Sequence, residues 1–372
     1  MGIDKSKVDD LLLRARREID AGLLPSCQLA LAQDGEVVAS ETFGDASPDT
    51  RYVIFSATKP LVAGAMWLLI GEGKIDPAER VAELLPEFGK NGKDQITIEQ
   101  VMLHTSGFPA APMGPPAWET SEGRRQRFAQ WRLNWEPGTK FEYHPTSAHW
   151  VLAELITDVS GQDYRTFIEE RILQPLGLSK LRLGVPREEQ GDIAEIALVG
   201  EPTSADDLEK VLGIRELPVT EVTDDALLGF NQPEVRAVGV PGGGGVSTAA
   251  DLAMYYQALL HNTGKLWDAE LLADVTSRVR NRLPDQLMGV EANRSLGLVI
   301  AGEDGKSNLR GMGRTVSPRA FGHNGAMGQI AWADPDTGLS FVYLTNGRDL
   351  DFLRENRRTT ALASLAAVTS AG

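Results

Sequence analysis

Ser56 and Lys59 stand three residues apart in Ser56-Ala57-Thr58-Lys59. On the opening turn of a helix, that spacing puts two side chains on one face, with Cβ atoms about 5–6 Å apart. The lysine amine can then reach the serine hydroxyl. Burial disfavours the ammonium form, and a neutral amine can take the hydroxyl proton. A helix N-terminus also favours negative charge developing near Ser56. The chemistry on offer is a serine nucleophile with a lysine base. Taken alone, the tetrapeptide reads more readily as an N-cap serine followed by a solvated lysine. Context favours the nucleophile and its base. The motif follows a β-like run, Tyr52 to Phe55, and opens a stretch from Thr58 to Glu72 that is nearly all apolar. A lysine heading such a helix needs a partner.

The elements that position this pair follow from periodicity. Val8, Leu11, Leu12, Ala15 and Ile19 recur at helical spacing, and Gly22 can end that helix. Cys27 to Gln33 and Glu36 to Phe43 read as a hairpin around Asp34-Gly35. The Thr58–Glu72 helix is apolar on most sides and is expected to be central, with Pro60 in its first turn. From about Ile75 to Leu178 the chain reads mainly as helices and loops, with helices at 148–160 and 163–173. Thr248 and Asp251 stand at capping-box spacing after glycines 242–245. Strands return at 295–300, 328–333 and 339–345, and a last helix covers 350–367.

Strands at both ends with helices between them predict an α/β (α+β) fold. It has one mainly antiparallel sheet built from both termini, flanked by helices, with an inserted helical region. The expected division is a sheet domain of residues 1–75 and 240–372 and a mainly helical domain of 76–239, with an acidic insertion at 188–225.

Composition removes several alternatives. The chain has 372 residues, ample for a core without staples, and a net charge of −15. That balance opposes a nucleic-acid binder and adsorption to an anionic membrane. The single cysteine, Cys27, cannot form an internal disulfide or a multi-cysteine zinc cluster. The longest apolar run, Leu61 to Ile70, is about half of the ~20 residues that a membrane span needs. The N-terminus carries no apolar secretory region. It matches the short Met-Gly-x-x-x-Ser acylation pattern only loosely. A cytoplasmic location is the expectation.

The ordered motifs resemble those of the serine β-lactamases and penicillin-binding-protein-like hydrolases, in the class C-like branch that includes family VIII carboxylesterases. Ser56-x-x-Lys59 resembles the nucleophile motif. Leu103-His-Thr-Ser-Gly-Phe-Pro109, Phe141-Glu-Tyr143, Pro175-Leu-Gly-Leu178, Gly245-Val-Ser-Thr-Ala-Ala-Asp251 and Gly322-His-Asn-Gly325 resemble further motifs of that branch, in order. The resemblance implies acyl transfer through a covalent acyl-enzyme, with no cofactor and no metal. Ser56 would be the nucleophile and Lys59 a general base, with Tyr143 sharing the proton transfers. The backbone N–H groups of Ser56 and Ala326 would form the oxyanion hole, each contributing about 2.7–4 kcal/mol. His323, Asn324 and Gly325 would line the substrate side. The partner would be a small-molecule ester or amide.

Two departures from the branch's lactamases matter. The tyrosine motif reads Tyr143-His144-Pro145, without the asparagine that would hold a substrate amide. The third motif begins with His323 instead of lysine. Both point toward a carboxylesterase for small or medium acyl esters and away from β-lactam or D-amino-acid amide hydrolysis. An acyltransferase is a further alternative. A non-catalytic sensor of the same fold is opposed by the joint presence of Ser56, Lys59 and Tyr143.

Other signals have plainer readings. His144 and His149 lack an acidic third ligand for zinc. His104 reads as satisfying a turn, and Gly242 to Gly245 as a close-packing loop. Trp118, Trp131 and Trp135 read as core. No Gly-x-Ser-x-Gly elbow occurs. Residues 188–225 carry twelve acidic side chains against Lys210 and Arg215, most of the net charge. The plain reading is a solvated insertion. The sharper expectation is that it overhangs the cleft and repels anionic substrates.

Overall fold

The computed structural model describes residues 2–218 and 222–370. A six-stranded antiparallel sheet has the order β2-β1-β12-β11-β10-β9. Its strands are β1 (Ser26–Gln33), β2 (Glu36–Gly44), β9 (Val299–Ile300), β10 (Phe321–Gly322), β11 (Ile330–Asp334) and β12 (Leu339–Thr345). The two ends of the chain meet at its centre, where β1 pairs with β12 from Cys27↔Thr345 to Gln33↔Leu339. Asp34 and Gly35 join β1 to β2 with φ of 53° and 79°. Both values suit the two-residue turn whose twist matches antiparallel strands.

Every residue of β1 is buried, because helices cover both faces of the sheet. Cys27, Leu29 and Leu31 face a core shared with the N-terminal helix Lys5–Asp20 and the C-terminal helix Phe352–Ala367. Ala30 and Ala32 face the opposite core, where small side chains let the helix Ala249–His261 approach. That second core continues without a break through the helix Lys59–Gly71 into the helix Ser147–Ser160.

The helix Lys59–Gly71 is buried from Lys59 to Leu69, with Pro60 in its first turn where a missing N–H costs least. It is preceded by a 3₁₀ turn, Phe55–Thr58, and by β3 (Tyr52–Val53). In a small second sheet, β6 (Gly245–Ser247) lies between β3 and β4 (Arg182–Leu183). The glycine-rich segment is thereby laid beside the Phe55–Thr58 turn. Thr248 caps the next helix by accepting from the Asp251 N–H.

Some expectations shift in detail. The expected strand at 295–300 is paired only at Val299–Ile300, and the expected helix 163–173 changes to a π-helix after Ile168. The acidic insertion is more ordered than its turn-rich composition suggests. Its β5 (Ala197–Val199) pairs in parallel with β13 (Gly347–Asp349). No helix among the described residues is long and apolar enough to cross a membrane.

Candidate active site

In a 3₁₀ turn, positions i and i+3 eclipse, so Ser56 and Lys59 project to the same side. Lys59 Nζ lies 3.0 Å from Ser56 Oγ. It also donates to the carbonyls of Pro145 at 2.7 Å and Gly242 at 2.6 Å. Tyr143 Oη donates to the same serine oxygen at 2.9 Å. Ser56, Lys59 and Tyr143 therefore form one hydrogen-bonded unit drawn from two distant segments.

Burial holds the Lys59 amine well below its ordinary pKa, and the nearby Arg294 guanidinium adds to this. Both effects favour the neutral amine, the form that a base needs. Burial pushes the Tyr143 phenol up to about 12, opposed by Arg294 and by the bond to Ser56. The two groups can pass one proton between them and the serine.

Close packing of backbone sets the position of Ser56. Phe55, just before Ser56, has φ of 45°, a left-handed conformation that bulky residues rarely adopt. His104 and Met327 share that conformation, at 57° and 64°. Such residues persist where the surrounding structure over-determines them, commonly at active sites. A Cβ on Gly325 would lie 2.2 Å from the Ile54 carbonyl oxygen. Only glycine lets the Gly325–Gln329 turn sit against the segment that leads into Ser56. The Gln329 side-chain amide ties that turn down, donating to the carbonyls of Val53 at 3.2 Å and Thr345 at 2.7 Å. Ala326 and Ser56 are thus carried on adjoining backbone. The N–H of Ser56 belongs to a first helical turn, where donors lack intrahelical acceptors.

His323 lines the opposite side, its ring 5.9 Å from that of Tyr143. Its backbone N–H donates to Tyr256 Oη at 3.0 Å. Its Nδ1 bonds the Asn324 carbonyl at 2.9 Å, so the neutral ring carries its proton there and leaves Nε2 as an acceptor. Burial, with help from Arg294 and Lys59, keeps this histidine uncharged. The Asn324 side chain is engaged with the backbone: it donates to the Gly311 carbonyl at 2.7 Å and accepts from the Ala331 N–H at 3.1 Å, which ties this segment to strand β11.

The other signals resolve similarly. His104 Nδ1 accepts from the His144 N–H at 3.1 Å, the turn-satisfying role expected. His144 donates from Nδ1 to the Glu142 carbonyl and accepts at Nε2 from the Phe108 N–H. The glycine loop packs tightly: a Cβ on Gly242 would lie 2.7 Å from the Pro145 carbonyl oxygen. Trp131 is buried, with its indole N–H on the Pro112 carbonyl, while Trp135 bonds Glu142. Trp118 packs against the main core. No cluster of three or more metal-ligating side chains occurs among the described residues.

The acidic insertion reaches the flank of the site through Ile193 and Ile196, which share a buried apolar cluster with Val53, Phe55 and Met327. Phe230, just beyond the insertion, packs edge-on against Phe55 at 5.5 Å. Among the insertion's twelve acids, Asp192 is tied to Arg51, Asp206 and Glu209 to Arg215, and Asp224 to Arg348. No carboxylate contributes to the shifts of Lys59, Tyr143 or His323. Glu221 lies outside the described residues, as does Met1 of the acylation pattern.

Four participants carry no motif. They are Arg294, Gln329, the Gly242 carbonyl and His149. His149 is buried near Lys59 and His323, with both ring nitrogens unpartnered. Only their long-range placement reveals them.

Comparison with known proteins agrees with this geometry. Residues 14–365 match the family described as Beta-lactamase. The chain is 29% identical over 323 residues to "Esterase/beta-lactamase LipL" of Mycobacterium tuberculosis, covering 81% of this chain and 70% of that protein. The fold is similar to that of a penicillin-binding protein homolog from Caulobacter crescentus, with a TM-score of 0.79, 26% identity and 99% of each chain covered. It is also similar to a family VIII carboxylesterase, with a TM-score of 0.78, 24% identity and 98% and 99% coverage.

Proposed function

The chain belongs to the β-lactamase family and is a serine hydrolase, and we propose that it acts as a carboxylesterase on small or medium acyl esters. The observation that carries this reading is at Pro145. Two residues after Tyr143, it offers no side-chain amide to hold a substrate amide, and its carbonyl is spent on Lys59. The name of the mycobacterial relative, an esterase/β-lactamase, includes the proposed activity beside its alternative.

In this reading Ser56 Oγ attacks the ester carbonyl and its proton passes to the Lys59–Tyr143 pair. The carbonyl oxygen becomes an oxyanion held by the N–H groups of Ser56 and Ala326. Collapse expels the alkoxide, which takes the proton back from the pair and leaves as alcohol. Water then attacks the acyl-serine, giving its proton to the same pair, and the acid is released with Ser56 restored. His323 and Gly325 border the acyl group. The buried free thiol of Cys27 suits a reducing compartment, and a cytoplasmic location is part of the reading.

The test compares p-nitrophenyl acetate and butyrate, nitrocefin and a D-alanyl amide, with Ser56→Ala alongside. Ester turnover abolished by Ser56→Ala is expected. Nitrocefin or amide turnover comparable to ester turnover would reverse the assignment. No turnover, with no fluorophosphonate labelling of Ser56, would leave a sensor.

A further inference from the structure

Arg294 has no carboxylate partner among the described residues, yet it sits within the catalytic cluster. Its backbone is clamped: the Arg294 N–H donates to the Asn281 carbonyl at 3.0 Å, and the N–H groups of Asn281 and Arg280 donate back to its carbonyl at 3.0 and 2.8 Å. Asn281 is itself anchored, its side-chain amide donating to the Leu103 carbonyl at 3.0 Å, beside the His104 turn.

The guanidinium lies over two rings at once. Its carbon is 5.3 Å from the centre of the Tyr143 ring and 5.5 Å from that of Phe141. A cation over an aromatic face is attracted by the ring's electrons, and most strongly where water is excluded. The Arg294 Nε is buried without a hydrogen-bond partner, while the side chain as a whole is half-buried.

The charges around the catalytic pair are few. Lys59 faces Ser56 and the carbonyls of Pro145 and Gly242, and its Nζ is 5.0 Å from the Tyr143 ring centre. His104, with His144 behind it, and His149 and His323 lie around the pair, and burial keeps all four neutral. Asp285 acts on Arg294 but not on the pair. An arginine cannot shed its proton. The site therefore holds one permanent cation.

A fixed cation acts in the same direction on both members of the pair. It disfavours the ammonium of Lys59 and favours the phenolate of Tyr143. Either effect is the loss of a proton, the state that must exist before the serine proton can be received. We propose that Arg294 is a positioning residue that keeps the Lys59–Tyr143 pair in its proton-accepting form at neutral pH. The proposal rests on the assignment of Ser56, Lys59 and Tyr143 above.

The test is the pH profile of kcat/KM for p-nitrophenyl butyrate and for the carboxylate-bearing p-nitrophenyl hemisuccinate. Wild type, Arg294→Gln, Arg294→Lys and Ser56→Ala are compared, with folding checked by thermal melting. Arg294→Gln is expected to move the acidic limb up by at least about one pH unit, which is about tenfold in rate on that limb. The alkaline plateau is retained, and the two esters respond alike. Arg294→Lys, which keeps the charge, restores most of the limb. An unmoved limb, or an equal loss at every pH, would overturn the proposal. So would a raised KM confined to the hemisuccinate, which would make Arg294 a substrate anchor. Turnover surviving Ser56→Ala would remove the underlying assignment and this proposal with it.

Discussion

Tyr143 Oη lies 2.9 Å from Ser56 Oγ, although 87 residues separate them in the chain. The tyrosine is held by its surroundings, with His104 at 4.9 Å and His323 at 5.9 Å from its ring centre. Its hydroxyl therefore has a fixed address whether or not it makes the bond.

Removing that hydroxyl alone separates chemistry from packing. Tyr143→Phe keeps the ring contacts and is expected to lower kcat by about 10²–10⁴-fold, the usual range for one acid–base group. The melting temperature should change little. A variant that keeps more than a tenth of wild-type kcat would show that Lys59 works without it.

Gly325 is required by backbone contact. In Gly325→Ala the new Cβ would meet the Ile54 carbonyl at 2.2 Å, a backbone atom that cannot swing away. The turn carrying Ala326 must shift from Ser56, with an expected loss of about 10²–10³-fold in kcat if one oxyanion donor is displaced, and about 1–3 kcal/mol of stability. Gly114→Ala is the control, since nothing lies within 4 Å of the added carbon. Equal kcat for both variants would contradict the contact.

Four buried histidines make the fold sensitive to acid. Burial lowers His144 to about 4 and holds His104, His149 and His323 well below their ordinary value. In the unfolded chain each takes a proton near pH 6.5. Below that pH the unfolded state binds more protons than the native state, so stability is full above about pH 6.5 and falls toward pH 4. His144 alone accounts for about 2 kcal/mol between pH 7.5 and 5. Urea midpoints at the two pH values measure this, and His144→Gln should flatten the difference. A midpoint that does not fall at pH 5 would refute the account.

Glu154 joins two helices through buried charge. Fully buried, it accepts from Arg124 Nε at 2.7 Å and Arg125 Nε at 2.9 Å, and it bonds the Ser121 hydroxyl. Glu154→Gln leaves the buried Arg124 guanidinium without its counter-charge, at an expected cost of about 3–5 kcal/mol. Chemical denaturation reads the loss, while kcat/KM of the folded fraction at low temperature should hold. An unchanged midpoint would mean that the network adds no net stability.

Local chemistry made much of this protein legible from its residues. The Asp34-Gly35 turn, the Thr248 cap and the apolar periods of the terminal helices depend on neighbours in sequence. The three-residue spacing of Ser56 and Lys59 is local too, so their meeting followed from helical geometry. The short pairing at Val299–Ile300 was not legible, because its extent depends on which partner strand arrives. The engagement of Asn324 was hidden for the same reason: Gly311 and Ala331 come to it from separate segments.

The sequence by itself determined the Ser56–Lys59 pairing and the order of the motifs, which rest on spacing along the chain, and the fold class, which follows from strands at both ends with helices between. Tertiary structure decided what surrounds that pair. It brought the carbonyls of Pro145 and Gly242 to one amine, pressed Gly325 against Ile54, and laid Arg294 over Tyr143. The physical reason is that desolvation and Coulomb interaction depend on distance in space. Whether a lysine is a base or a surface charge is set by the groups folded around it.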